Sequence, residues 1–133
     1  MVLEHSHLKE NKTIEISGSK SISNRLLILH QLFDNILIQN LSNSQDTQLL
    51  QAALQSDSDI IDIHHAGTAM RFLTSYYAIQ EGKTVVLTGS ERMKQRPIKF
   101  LVDALRDLGA EISYLENEGF PPLKISGKKI LKS

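Results

Sequence analysis

The stretch that most restricts this chain is TVVLT, residues 84–88. Four of its five residues are β-branched, a type that packs well on a pleated surface and loses rotamer freedom in a helix. Turn chemistry brackets it, EGK before and Gly89 after, so the spacing predicts a short strand. One strand cannot stand alone in water, so the chain must build a sheet around it. Partners are predicted at DIIDIH (59–64), AEISYLE (110–116) and PLKIS (122–126), with further strands at TIEIS (13–17) and residues 36–39. Helical spacing falls between them. One helix follows Ser19 as cap and runs to about residue 33. A second follows Ser44, with Leu49, Leu50, Ala53 and Leu54 on one face. A third opens at Gly67 and Thr68 and reaches about residue 80. A fourth runs from Pro97 to Leu108, with Gly109 as its stop. Strands alternating with helices define an α/β fold. The last two strands have no helix between them, which predicts a mixed sheet.

Composition narrows the function. The 133 residues hold 15 basic and 15 acidic side chains, so non-specific attraction to nucleic acid or to anionic membrane is not expected. Aromatic residues are 5% with no Trp, too few for a platform on which single-stranded bases stack. No apolar run approaches the roughly 20 residues of a membrane span. The polar start, MVLEHSHLKENK, lacks the apolar stretch of a secretion signal, and the expected compartment is the cytoplasm. Without cysteine there is no disulfide, zinc–thiolate site or thiol nucleophile. Any anion chemistry must therefore come from local placement of Lys and Arg.

That placement occurs at three junctions. In SGSKSISNR (17–25), Lys20 and Ser21 fall in the first turn of a helix, where unpaired N–H groups and the helix dipole favour an anion. Ser21 and Arg25 are one turn apart and share a face. A cation in a first turn is unfavourable for the helix itself. Lys20 is thus badly placed for stability and well placed for a ligand, although a solvated basic helix start fits the spacing equally well. The P-loop pattern fails here, and Ser17-x-x-Lys20 lacks the companion motifs of penicillin-recognising enzymes. In HHAGTAMRF (64–72), Gly67 allows close approach to the backbone, Thr68 can donate, and Arg71 lies one turn in. His64 and His65 are neighbours in an extended run and should point to opposite faces, which argues against a metal and leaves His65 as a pocket donor or a packed ring. In TGSERMKQRP (88–97), Arg92, Lys94 and Arg96 alternate, so an extended loop would aim them one way; charge alone fits an exposed basic loop better. Ligands of open α/β folds gather at such junctions.

Taken together, GSKSISNRLLIL, AGTAMRFL and TGSERMKQRPIKFLVDALRDLGAEISYLENEGFPPLKISG closely resemble the N-terminal half of the EPSP synthase (3-phosphoshikimate 1-carboxyvinyltransferase) family, the target of glyphosate. The resemblance implies transfer of the enolpyruvyl group of phosphoenolpyruvate to the 5-hydroxyl of 3-phosphoshikimate, with release of phosphate and with no metal or organic cofactor. It implies that Lys20 contacts both substrates and shares in catalysis, that Ser21 and Arg25 hold 3-phosphoshikimate, and that Gly67 and Arg92 hold phosphoenolpyruvate. His65, Thr68, Arg71 and Arg96 would support that wall. The family usually has Asn where His65 stands and often Pro where Phe72 stands.

The resemblance further implies a fold of two lobes, each made of repeated βαβαββ units, with the site in the cleft between them. Residues 13–127 are then expected to be part of one lobe, flanked by a polar segment (1–12) and a tail (128–133). Such a chain would be a monomeric fragment that lacks its C-terminal half and does not turn over alone. The related UDP-N-acetylglucosamine enolpyruvyl transferases usually carry Lys-Asn where Lys20-Ser21 stand, and a loop Cys. A non-catalytic anion-binding module is the alternative of a different class.

Overall fold

The computed structural model describes residues 2, 4, 5 and 11–130; most of the polar start and the last three residues of the tail lie outside them. The described residues form four α-helices: α1 (Lys20–Leu32), α2 (Gln45–Leu54), α3 (Gly67–Ala78) and α4 (Lys99–Asp107). Four strands form one sheet: β1 (Ile60–Asp62), β2 (Thr84–Thr88), β3 (Glu111–Tyr114) and β4 (Leu123–Ser126), in the order β1-β2-β4-β3. β1 and β2 are parallel, joined through α3, and both other pairings are antiparallel. The sheet is mixed, as expected from the missing helix between β3 and β4.

Alternation places one face of the sheet inside. Ile61, Leu87, Leu123 and Tyr114 form one row across the strands, and Val85, Ile125 and Ile112 form the next. All of these are buried except Tyr114, which is half-buried. Against this face lies α3. Its buried residues, Ala69, Met70, Leu73, Thr74, Tyr77 and Ala78, recur at the spacing that keeps a broad stripe on one side of a helix. α4 joins it through Ile98, Val102 and Leu105. The Arg106 guanidinium at the end of α4 donates twice to the Ile112 carbonyl, at 3.0 and 2.6 Å, and covers the Tyr114 ring.

On the side of α3 away from the sheet sit α1 and α2, held to each other by a buried polar seam. Thr47 Oγ1 donates to Asn24 Oδ1 at 2.8 Å, and the Ser42 amide donates to Ser23 Oγ at 2.9 Å. Asn24 and Thr47 are almost wholly buried, so each needs the other as partner. The apolar residues Ile28, Leu29, Leu32, Phe72, Tyr76 and Ile79 meanwhile line an open groove of about 480 Å³ between α1 and α3.

The predicted caps hold. Ser19 Oγ accepts from the Ile22 amide and Ser44 Oγ from the Thr47 amide. Gly109, at φ +105°, takes the left-handed turn that ends α4. Four expectations need correction. Residues 13–17 and 36–39 form no strand among the described residues: a strand exists only when paired, and neither segment enters the ladders of the sheet. Ile14 and Ile16 are 81% and 79% exposed, so their alternation has no sheet to serve. β1 stops at Asp62 rather than residue 64, because His64 adopts φ +48° and turns the chain. α4 starts at Lys99 rather than Pro97, because Ile98 is its cap and donates its amide to the Gly119 carbonyl at 2.8 Å.

Tyr77 joins α3 to α2 by donating its hydroxyl to the Ala53 carbonyl at 3.2 Å. Burial pushes its phenol up to about 12 from 10, with a smaller repulsive contribution from Tyr76. The fold therefore holds Tyr77 neutral, while the unfolded chain ionises it near pH 10. The stability it lends is complete below pH 10 and is lost as pH rises toward 12. Tyr76 and Tyr114, raised by the same burial, add to that loss. Urea melts at pH 8 to 12 should show stability falling from pH 10 upward, and Tyr77→Phe should flatten that fall; an unchanged slope would contradict the assignment.

Candidate active site

The three cationic junctions meet on one face of the molecule. The first is the start of α1, and the second the start of α3. The third is the loop after β2, which folds into a single 3₁₀ turn (Met93–Gln95). Two glycines let these backbones close up. A β-carbon on Gly18 would run into the Asn40 carbonyl, so the segment before α1 lies directly on the chain entering α2. A β-carbon on Gly89 would come within 2.6 Å of the His64 carbonyl, and the next residue, Ser90, donates its amide to that same carbonyl at 2.9 Å. The loop after β2 is thereby fastened to the loop after β1.

Three adjoining cavities result. One, of about 290 Å³, is lined by Lys20, Ser21, Asn24, Arg25, Thr68, Arg71 and Phe72. The next, of about 330 Å³, shares Lys20, Thr68 and Arg71 with it and adds Asp46, His65, Gly67 and Arg96. The third, of about 260 Å³, shares His65 and Arg96 with the second and adds Ser90, Arg92 and Met93. Nine residues singled out in the sequence, Lys20, Ser21, Arg25, His65, Gly67, Thr68, Arg71, Arg92 and Arg96, line this trough. Its walls carry five cations, Lys20, Arg25, Arg71, Arg92 and Arg96, against one carboxylate, Asp46.

Individual side chains are held in different ways. Arg25 donates from Nη1 to the Ser21 carbonyl at 2.9 Å and to Ser21 Oγ. Arg71 donates to the Gly67 carbonyl at 3.2 Å and to the Pro97 carbonyl at 3.4 Å, bracing the start of α3 against the loop after β2. The Arg96 guanidinium lies on Gly67, where a β-carbon would meet its Nη1. α3 has Ala66 at its N-cap and no capping side chain, so its first N–H groups depend on solvent or a ligand. Two helix starts and five cations give the trough the chemistry that suits anions.

Sequence reasoning missed Asp46. It pairs with Lys20 at 3.1 Å and answers the misplaced first-turn cation with an acid from another helix, 26 positions away. Asp46 is also in the first turn of α2, where a carboxylate suits the dipole; that role was legible, whereas its reach to Lys20 had no local signal. Ser90, whose Oγ accepts from the Met93 amide at the start of the 3₁₀ turn, was also missed.

Lys94 corrects the expected convergence of Arg92, Lys94 and Arg96. The loop is not extended but turned, and alternation no longer aims these residues together. Arg92 and Arg96 face the cavity, while Lys94 pairs with Glu116 at 3.2 Å and Glu91 at 3.4 Å. The hydrogen bond to Glu116 is the main reason its ammonium is held above the usual lysine value. His64 leaves the trough to His65 and donates its amide to Asp62 Oδ1 at 2.7 Å. Among the described residues no three His, Asp or Glu side chains gather as metal ligands.

Comparison with known proteins agrees with this architecture. The family model described as EPSP synthase (3-phosphoshikimate 1-carboxyvinyltransferase) matches residues 50–133. A Bacteroides fragilis (strain YCH46) protein named 3-phosphoshikimate 1-carboxyvinyltransferase is 54% identical over 123 residues, covering 91% of this chain and 30% of that protein. A protein of the same name from Shewanella pealeana is 41% identical over 145 residues, covering 89% of this chain and 34% of its own length. The chain thus spans about a third of the curated relatives it matches. Among solved structures, EPSP synthase from Acinetobacter baumannii superposes with a TM-score of 0.72 at 21% identity, over 86% of this chain and 31% of that one.

The glycine contacts separate two kinds of substitution. Gly67→Ala should fold with a stability change within about 1 kcal/mol, because only the far end of Arg96 must move. It should nevertheless shift the Arg96 side-chain resonance in an NMR spectrum. Gly18→Ala meets backbone and should cost about 1–3 kcal/mol. Thermal melts of the two variants check the contrast, and equal losses would refute it.

Proposed function

We propose a function from the premise that this chain belongs to the EPSP synthase family: it supplies one wall of a site that transfers the enolpyruvyl group of phosphoenolpyruvate to the 5-hydroxyl of 3-phosphoshikimate. The observation that carries the reading is the trough, in which the nine residues from three distant junctions line adjoining cavities with a large excess of cations. Both substrates are multiply charged anions, and two neighbouring anion-sized spaces bordered by one shared lysine suit a reaction that joins them.

In this reading Lys20, Ser21 and Arg25 hold 3-phosphoshikimate, with the phosphate in the Ser21–Arg25 cavity. Gly67 and Arg92 hold phosphoenolpyruvate, and Lys20 reaches both. Thr68, Arg71, His65 and Arg96 shape the boundary between them. The methylene carbon of phosphoenolpyruvate takes a proton, and the 5-hydroxyl oxygen bonds to the adjacent carbon as it gives up its own. Loss of phosphate and of one methyl proton then restores the double bond. Positive charge develops at carbon in the first step, so cations cannot stabilise it directly. The work of this wall is to align two anions that would otherwise repel. The acid and base of the proton transfers belong to the opposite wall, in the part of the relatives' length that this chain does not span. Residues 13–127 are accordingly read as part of one lobe, a monomeric unit acting in the cytoplasm, with no organic cofactor, metal, nucleic acid or membrane partner. No described helix is long and apolar enough to cross a membrane.

Titration of 3-phosphoshikimate into the chain should shift amide resonances at residues 20–25 first. Arg25→Ala should weaken that binding about 10–100-fold, the usual loss for a hydrogen-bonded charge. A coupled phosphate-release assay should show no sustained turnover. Shifts that are absent at millimolar ligand would favour a structural remnant, and sustained turnover would overturn the single-wall reading.

A further inference from the structure

Arg25 is gripped at one corner and on one face. Its Nη1 is taken up by the carbonyl and hydroxyl of Ser21. Its guanidinium carbon stands 5.8 Å from the centroid of the Phe72 ring, within range of a cation–π contact. Among the described residues, Nε and Nη2 take no partner. That remaining edge carries the two parallel N–H bonds that fit a phosphate or carboxylate side-on. Phe72 borders the anion cavity on one side and the apolar groove between α1 and α3 on the other, so its ring is part of the partition between them.

We propose that Phe72 is a positioning residue that fixes the plane of Arg25 and so tunes affinity for 3-phosphoshikimate. A guanidinium held only at Nη1 can swing about that corner, and a ring beneath it removes this freedom before the ligand arrives. An aliphatic side chain would fill the partition but offer no π face. Proline would do neither. The inference rests on the reading of Arg25 as an anion ligand, and the test keeps the two apart.

The arginine Nε–Hε resonance of Arg25 in the whole chain should be displaced by the ring current of Phe72. Phe72→Leu should return it to the ordinary position and weaken 3-phosphoshikimate binding roughly 2–5-fold, the range expected for one cation–π contact. Phe72→Tyr, which keeps the ring, should preserve both the displacement and the affinity. A Phe72→Leu variant that binds as tightly as the parent, or an Arg25 resonance indifferent to Phe72→Leu, would overturn the inference while leaving Arg25 as ligand intact. A parent chain that shows the ring-current displacement and binds no 3-phosphoshikimate would instead refute the reading of the site, and the positioning role with it.

Discussion

The structure depends on burying α3 on two sides. One side of this helix meets the sheet and the other meets α1 and α2, so its stripe of Ala69, Met70, Leu73, Thr74, Tyr77 and Ala78 has no solvent face to spare. Small residues let neighbouring elements approach closely, and Leu73, Met70 and Tyr77 fill the space between them. The two polar groups in the stripe that could have been stranded both find carbonyls: the Thr74 hydroxyl donates to Met70 at 2.7 Å and the Tyr77 hydroxyl to Ala53 at 3.2 Å. Because α3 cannot rotate without emptying both interfaces, its N-terminal end is fixed in space, and that end is the floor of the trough.

The cationic trough follows from this rigidity. Gly67 begins α3, and its bare backbone leaves room for the Arg96 guanidinium. Arg71, one turn on, ties α3 to the segment that ends at Pro97. Lys20 reaches the same floor from α1, whose place is set by the Asn24–Thr47 bond. A chain of zero net charge thus concentrates five cations in one trough, and the balancing acids lie elsewhere apart from Asp46. Exposed ion pairs such as those of Lys94 contribute little energy. Their use here is to draw that lysine out of the trough and toward Glu116.

Local chemistry was the legible part of the sequence. TVVLT is β2, Ser19 and Ser44 cap their helices, and Gly109 turns where a helix must stop. These features act over a few residues, so a few residues reveal them. The candidate ligands were legible as well, because each junction pairs a helix start with a cation or hydroxyl. What failed was whatever needs a distant partner. The alternation at residues 13–17 is genuine, but a strand is a relation between two segments, and among the described residues this one joins no ladder. Lys94 looked equivalent to Arg92 and Arg96 until the 3₁₀ turn rotated it toward Glu116, 22 positions on. Asp46 gave no sign of reaching Lys20, and Phe72 read as a departure from its family before it was seen beneath Arg25.

The order β1-β2-β4-β3 has a consequence for how such a chain is made. β4 is the last of the four strands to be synthesised, yet it lies in the interior of the sheet, between β2 and β3. Until it emerges from the ribosome, β2 exposes an unpaired edge, and β3 has no neighbour at all. The α1–α2 pair and the β1–α3–β2 crossover can form early from nearby residues, whereas the sheet closes only when Leu123–Ser126 slides between two strands already made. A ribosome-bound intermediate would therefore hold its helices half-assembled over an open β-edge, a state suited to capture by a chaperone and prone to pairing with the wrong strand.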